Sequence, residues 1–295
     1  MAAAIPTNIF SYLVGPHLAG ASVGAVFLGV VFHQFSKYLS SCSDEPLYRR
    51  VYVCIAVFLT TGSAALEFAM SWEKIILAKE FLGDPDLQMT GTSSMSVLNA
   101  AFIAIYVQSF YLHRLFMLSK RNWYLVAFLG TVLLLAFALS LAAVGVRLRP
   151  AASDASDTPT TLLLYNIHFA VILVGDLLLT LTTVGYLVYY RKKVLPQSAG
   201  LFKSLIIVVF QSAAPATFWI VIEFAFCVAF PNRPFAPFAR VTATLGMNLV
   251  LNKLWAISLL ATLNSRRKTS ISGKRISGTS NGRGTQNEAH IRTGY

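Results

Sequence analysis

Charge is scarce in this chain. Asp, Glu, Lys and Arg make up 12 % of its 295 residues, about half the share of a soluble domain. Acidic groups are the scarcer sign, 12 against 24 basic ones, leaving a net charge of +12. With 56 % apolar residues, the composition argues against a soluble helical protein, whose helices keep one polar face. Cysteine is nearly absent too. Cys42, Cys54 and Cys227 do not pair up in any outer connection, so no disulfide framework and no thiolate metal cluster is expected. No Asn-x-Ser/Thr acceptor occurs. A phosphate-cradling Gly-rich loop, a nucleophile elbow and a His-Glu-x-x-His zinc motif are also missing. No catalytic residue, metal or cofactor is assigned, and the chain is not read as an enzyme.

Long apolar runs are what the sequence does have. A helix rises about 1.5 Å per residue, so roughly 20 residues cross a hydrocarbon layer of about 30 Å. Seven stretches qualify: Pro16–Phe35, Val51–Trp72, Met95–Met117, Trp123–Val146, Leu162–Tyr190, Phe202–Phe230 and Phe238–Leu263. Pro150 and the Ser/Asp/Thr/Pro run to Pro159 separate the fourth from the fifth. Pro215 lies inside the sixth and predicts a kink there. The expected fold is an all-α membrane protein, a seven-transmembrane helix bundle over residues 1–264. Residues 265–295 are rich in Ser, Gly, Thr and Arg and form no apolar face, so they read as a disordered basic tail.

Lys and Arg set the orientation. The first, third and fifth connections and the tail carry seventeen of them, the opposite side six, with Lys253 inside a helix. That bias puts the N-terminus outside and the C-terminal tail in the cytoplasm. The basic balance is therefore a topology signal directed at the lipid bilayer, and no nucleic-acid partner is inferred. The plasma membrane is expected in preference to an internal one.

Ionisable and amide groups at membrane depth are the best functional pointers in such a chain. Counted from the first cation at the inner end of each helix, Glu67, Asn99, Asp176 and Lys253 fall about 20–25 Å in, in one layer slightly outside the midplane. Two readings follow. The four line a cavity for a small-molecule or lipid ligand, or they form a structural polar network with Lys253 paired to Glu67 or Asp176. Gln108, Arg114, Asn264 and Arg266 sit within one or two turns of the inner boundary and are expected to form a latch between helix ends. A retinal Schiff base at Lys253 is disfavoured, because the third helix offers no Asp or Glu counter-ion and position 249 is Leu.

Further residues carry a resemblance. Gln34-x3-Tyr38-x5-Asp44, Gln108-Ser-Phe-Tyr-Leu-His-Arg114 with Leu118-Ser119, Asp176, and Ser258-Leu-Leu-Ala-Thr-Leu-Asn264-Ser-Arg266 are similar to motifs of a basidiomycete fungal family. That family has seven transmembrane helices and a C-terminal domain of unknown function, here at about residues 172–266. Trp255 and Ile257 depart from it, standing where it usually has Tyr and Asn. The resemblance implies fold and fungal origin but no activity. Motifs at inner helix ends, where a cytoplasmic transducer would dock, combined with a polar layer nearer the outer side, favour a receptor-like sensor. A transporter comes second and a non-catalytic structural membrane protein remains an alternative. The topology is open to a direct check. A reporter or protease site placed after Asn264 should be reached only from the cytoplasmic side, and reaction from the opposite side would reverse the orientation.

Overall fold

The computed structural model describes residues 8–40, 45–81, 91–147, 158–193, 214–225 and 243–265. All of the described elements are helices: α1 (Asn8–Leu39), α2 (Leu47–Phe81), α3 (Gly91–Leu118), α4 (Trp123–Arg147), α5 (Thr158–Lys193), α6 (Ala214–Ala225) and α7 (Ala243–Ser265). Six of them are long and apolar enough to cross a membrane, and α6 is a shorter apolar helix over its described residues. The sixth predicted span, Phe202–Phe230, is thus described only in part. Pro215 is the second described residue of α6, so the preceding turn in which its kink is expected lies outside the described residues, as does the tail after Ser265.

Local chemistry explains several helix ends. Pro159 occupies the first turn of α5, where its missing N–H costs nothing. Asn122 precedes α4 and accepts from the Leu125 amide at 3.5 Å. At the other end of that short turn, α3 closes with the Arg121 amide bonded to the Phe116 carbonyl at 3.1 Å, a left-handed cap.

Neighbours in sequence pack as neighbours in space: α1 with α2, α2 with α3, α3 with α4 and α5, and α4 with α5. The arrangement is inverted relative to a soluble protein. Phe58 is 76 % exposed and Phe218 67 %, while Glu67, Glu223 and Lys253 are buried. Lipid tails would cover the apolar exterior, leaving the interior to hold the polar groups.

The central strut is α7. Its core window is 72 % buried, against 17–44 % for α1 to α5. Apolar residues Leu249, Val250, Leu254, Leu259, Leu260 and Leu263 pack into the core. Helix α1 approaches α7 so closely that a Cβ at Gly20 would overlap the Gly246 carbonyl, and one at Gly246 would overlap the Pro16 carbonyl. Two backbones touch there only because both positions lack a side chain. Across the bundle, Tyr52 and Tyr106 join α2 to α3. Their rings stack at 4.1 Å, the Tyr106 hydroxyl donates to the Tyr52 carbonyl at 3.0 Å, and the Tyr52 hydroxyl donates to the Tyr106 carbonyl.

The glycine contact is testable by contrast. Gly246→Val should cost about 1–3 kcal/mol by overpacking. Gly29→Ala on α1, where an added Cβ meets nothing within 4 Å, should be neutral or slightly stabilising. Thermal unfolding in one detergent ranks the two, and equal melting points would remove the close α1–α7 approach.

Candidate functional site

Lys253 reaches Glu67 from the middle of α7. Its ammonium donates to Glu67 Oε1 in a buried ion pair and to the Leu249 carbonyl one turn back at 2.9 Å. Both side chains are almost fully enclosed, 0 % and 4 % exposed. Burial alone would make either charge very costly, so each needs the other and further hydrogen bonds. Helix α2 provides one more. Ser63, one turn before Glu67, donates to Glu67 Oε1 at 2.9 Å, and the Asn252 amide donates to the Ser63 hydroxyl at 3.2 Å. Gly24 of α1 closes the third side, leaving 3.7 Å from its Cβ position to Glu67 Oε2 and to Lys253 Nζ. A larger residue there would press on the pair.

Asp176 does not join that pair. It accepts from the Gln108 amide of α3 at 2.8 Å. The depth count had placed Asp176 level with Lys253, and Gln108 much nearer the basic end. The cause of the difference is Arg114. Counting assumed that the first cation marks the membrane surface, yet Arg114 lines an internal cavity beside Asp176 and Ser258. Helix α3 thus continues past it to Leu118, while α5 runs on to Lys193, so Gln108 sits deeper than estimated.

That inner cavity measures about 40 Å³ as swept by the centre of a water molecule. Gln108, Tyr111, Arg114, Asp176, Thr180, Thr183, Trp255 and Ser258 supply its polar lining. About 10–15 Å³ suffices for one water, so it has room for roughly two to four, far less than the 300–1,000 Å³ of drug-sized pockets. The Tyr111 hydroxyl lies 2.7 Å from Ser258 Oγ and 3.5 Å from Thr262 Oγ1, joining α3 to α7 at the cavity wall. A second cavity, about 20 Å³ on the same measure, lies toward the other end among Ala100, Ala104, His168, Phe169, Asn248 and Trp255. His168 Nδ1 is 2.9 Å from the Ala136 carbonyl, tying α5 to α4. Trp255 lines both spaces, and its buried indole N–H has no hydrogen-bond partner of normal geometry among the described residues.

The structure therefore divides the residues expected to share one ligand cavity. Glu67 and Lys253 are together. Asp176 stands with Gln108. The Asn99 amide nitrogen is buried without a partner among the described residues. Neither of the two cavities described is lined by Glu67, Asn99 or Lys253. The expected inner latch is likewise distributed. Gln108 bonds to Asp176, Arg114 faces the cavity, and the Asn264 amide donates to the Gln34 carbonyl of α1 at 3.1 Å. Arg266 lies outside the described residues.

Sequence reasoning missed the roles of Ser63, Asn252, Tyr111 and Trp255. Ser63 stands one turn before Glu67 and Asn252 adjoins Lys253, spacings that could have found both. Glu223 of α6, the one charge in Leu205–Phe230, reads from the same depth count as lying near the outer surface and was not a candidate site residue. Its carboxyl is fully buried, and neither oxygen has a hydrogen-bond partner among the described residues.

With Asp176, Trp255 and Ser258 located, the comparison with known families can be placed on the structure. Residues 172–268 match the model of the Family of unknown function (DUF6534). The matched segment begins four residues before Asp176 and contains the described parts of α6 and all of α7. Its α7 carries Lys253, Trp255 and Ser258. No curated protein and no solved structure matches the chain significantly.

The ion pair generates a double-mutant test. Lys253→Met alone should destabilise by about 3–5 kcal/mol, since it strands a buried carboxylate. Adding Glu67→Gln should restore much of that loss, whereas adding Asp176→Asn should not. Thermal stability of the four proteins decides, and recovery with Asp176→Asn would reassign the partner.

Proposed function

We propose that the chain is a receptor-like sensor, an integral membrane protein of seven spans in the plasma membrane, with its tail on the cytoplasmic side. One observation carries this reading: α7 is buried and tied by polar bonds at successive heights. Lys253 and Asn252 hold α2, Ser258 and Thr262 meet Tyr111 of α3, Asn264 holds α1, and the Met247 carbonyl accepts from the Trp219 indole of α6 at 2.9 Å. A helix tied in this way passes a displacement near one end to the other, because packed interiors transmit strain. The polar cavity around Asp176, roomy enough for a few waters, would give α7 space to shift. The matched family of unknown function is compatible with this role and names no activity.

Transport of a small solute is the second reading. What favours it is Trp255, which lines both cavities and whose displacement would join them. One pair of assays separates the two. A sensor gives compounds, from a panel of metabolites and lipids, that raise the melting point of the purified protein and alter the fluorescence of a label at Ser265. A transporter gives solute flux in proteoliposomes that Trp255→Ala changes. Flux with a silent Ser265 label would replace the sensor reading.

A further inference from the structure

The turn between α3 and α4 holds the described positive-φ residues, and both bear side chains: Lys120 at φ 55° and Arg121 at φ 66°. No described glycine has a positive φ. A left-handed helix cap ordinarily takes Gly or Asn, since a Cβ crowds the backbone there. The cap geometry is otherwise complete, with the Arg121 amide returning to the Phe116 carbonyl at 3.1 Å. Two cations thus occupy backbone positions that a glycine would fill with less strain. Strain of this kind is retained where the side chains do something.

Their surroundings indicate what. Lys120 and Arg121 are both exposed. Lys120 Nζ stands 5.8 Å over the Tyr190 ring of α5, which fixes its direction. The Arg121 guanidinium makes no hydrogen bond or ion pair among the described residues. Trp123 and Tyr124 follow directly, 69 % and 90 % exposed, with the Trp123 ring 4.8 Å from Phe116. Exposed Trp and Tyr at a helix end mark the headgroup level of a bilayer. No described acidic side chain stands on this turn to neutralise the two cations.

We infer that the Lys120–Arg121 turn is a binding site for the phosphate of an anionic phospholipid headgroup in the leaflet it faces. The guanidinium supplies a fork of donors for phosphate oxygens, the ammonium a second charge, and the Trp123 and Tyr124 rings lie beside the acyl–headgroup boundary. The tight turn sets the two exposed cations at adjacent positions, where one headgroup can meet both.

Three variants of the full chain test this in nanodiscs of phosphatidylcholine, with or without a minor fraction of fluorescent phosphatidylserine. Lys120→Gly/Arg121→Gly removes the charges and relieves the backbone. Lys120→Gln/Arg121→Gln removes the charges and keeps the strain. Arg49→Gln removes a half-buried cation on α2, bonded to the Tyr48 hydroxyl, at the same end of the bundle. A cation near an anionic surface contributes about fivefold to binding, so both double variants should hold the lipid about thirtyfold more weakly. Arg49→Gln should hold it like the wild type. In phosphatidylcholine alone, the Gly pair should melt at or above the wild type and the Gln pair should not exceed it. Undiminished lipid binding by the double variants would overturn the inference. So would an equal loss in Arg49→Gln, which indicates smeared surface charge, or displacement of the lipid by equimolar inorganic phosphate, which indicates a free-anion site.

Discussion

The rest of the bundle depends on one requirement: a lysine at membrane depth must never be without its carboxylate. Lys253 and Glu67 lie on helices that are neither adjacent in sequence nor joined by a short turn. Their pairing fixes the height of α7 against α2 and thereby the register of the other contacts. Ser63 and Asn252 complete the shell on one side. Gly24, Gly20 and Gly246 let α1 close the other without a side chain pressing on the charges. Removing the pair as a whole is tolerable in principle, while removing half of it is not. The interaction therefore specifies an arrangement more than it adds stability.

A second consequence is a division of labour along α7. Its earlier half holds the ion pair and the glycine contact. Its later half carries hydroxyls and an amide, Ser258, Thr262 and Asn264, which make weaker and more exchangeable bonds. Between the two stands Trp255, flanked by two small cavities. Strong, geometrically demanding contacts on one side and replaceable ones on the other suit a helix that pivots about its fixed half.

Much of the architecture was legible because the bilayer restricts what a sequence can do. Apolar length located α1, α3 and α4 to within a few residues of their observed cores, since hydrocarbon thickness sets that length. It failed where helices continue into water. Helix α2 extends from Trp72 to Phe81 through Glu73, Lys74, Lys79 and Glu80, polar residues that hydropathy counts as loop but that favour helix well. Charge and depth left Glu67 and Asp176 both open as partners of Lys253, and the packing of α7 against α2 decides for Glu67. The meeting of Asp176 with Gln108 was not legible, because a cation lining the inner cavity, Arg114, was taken for the surface end of α3. Hydropathy gives depth along one helix, whereas helix tilt and overhang decide which residues meet.

The distance in sequence between the paired charges bears on how the protein is made. Glu67 and Lys253 are separated by 186 residues. At about 5–20 residues per second, the ribosome needs roughly 10–40 s to travel from one to the other. Throughout that interval α2 has been synthesised and its carboxyl lacks the ammonium it will hold. Assembly is therefore ordered from the far end of the message: the six earlier helices can gather, but the polar centre closes only when the last one arrives. A protein that releases α2 into lipid early must shield Glu67 by protonation, by water or by a chaperone. Synthesis stalled before Lys253 would leave a partly built bundle carrying an exposed intramembrane acid, a ready mark for membrane quality control.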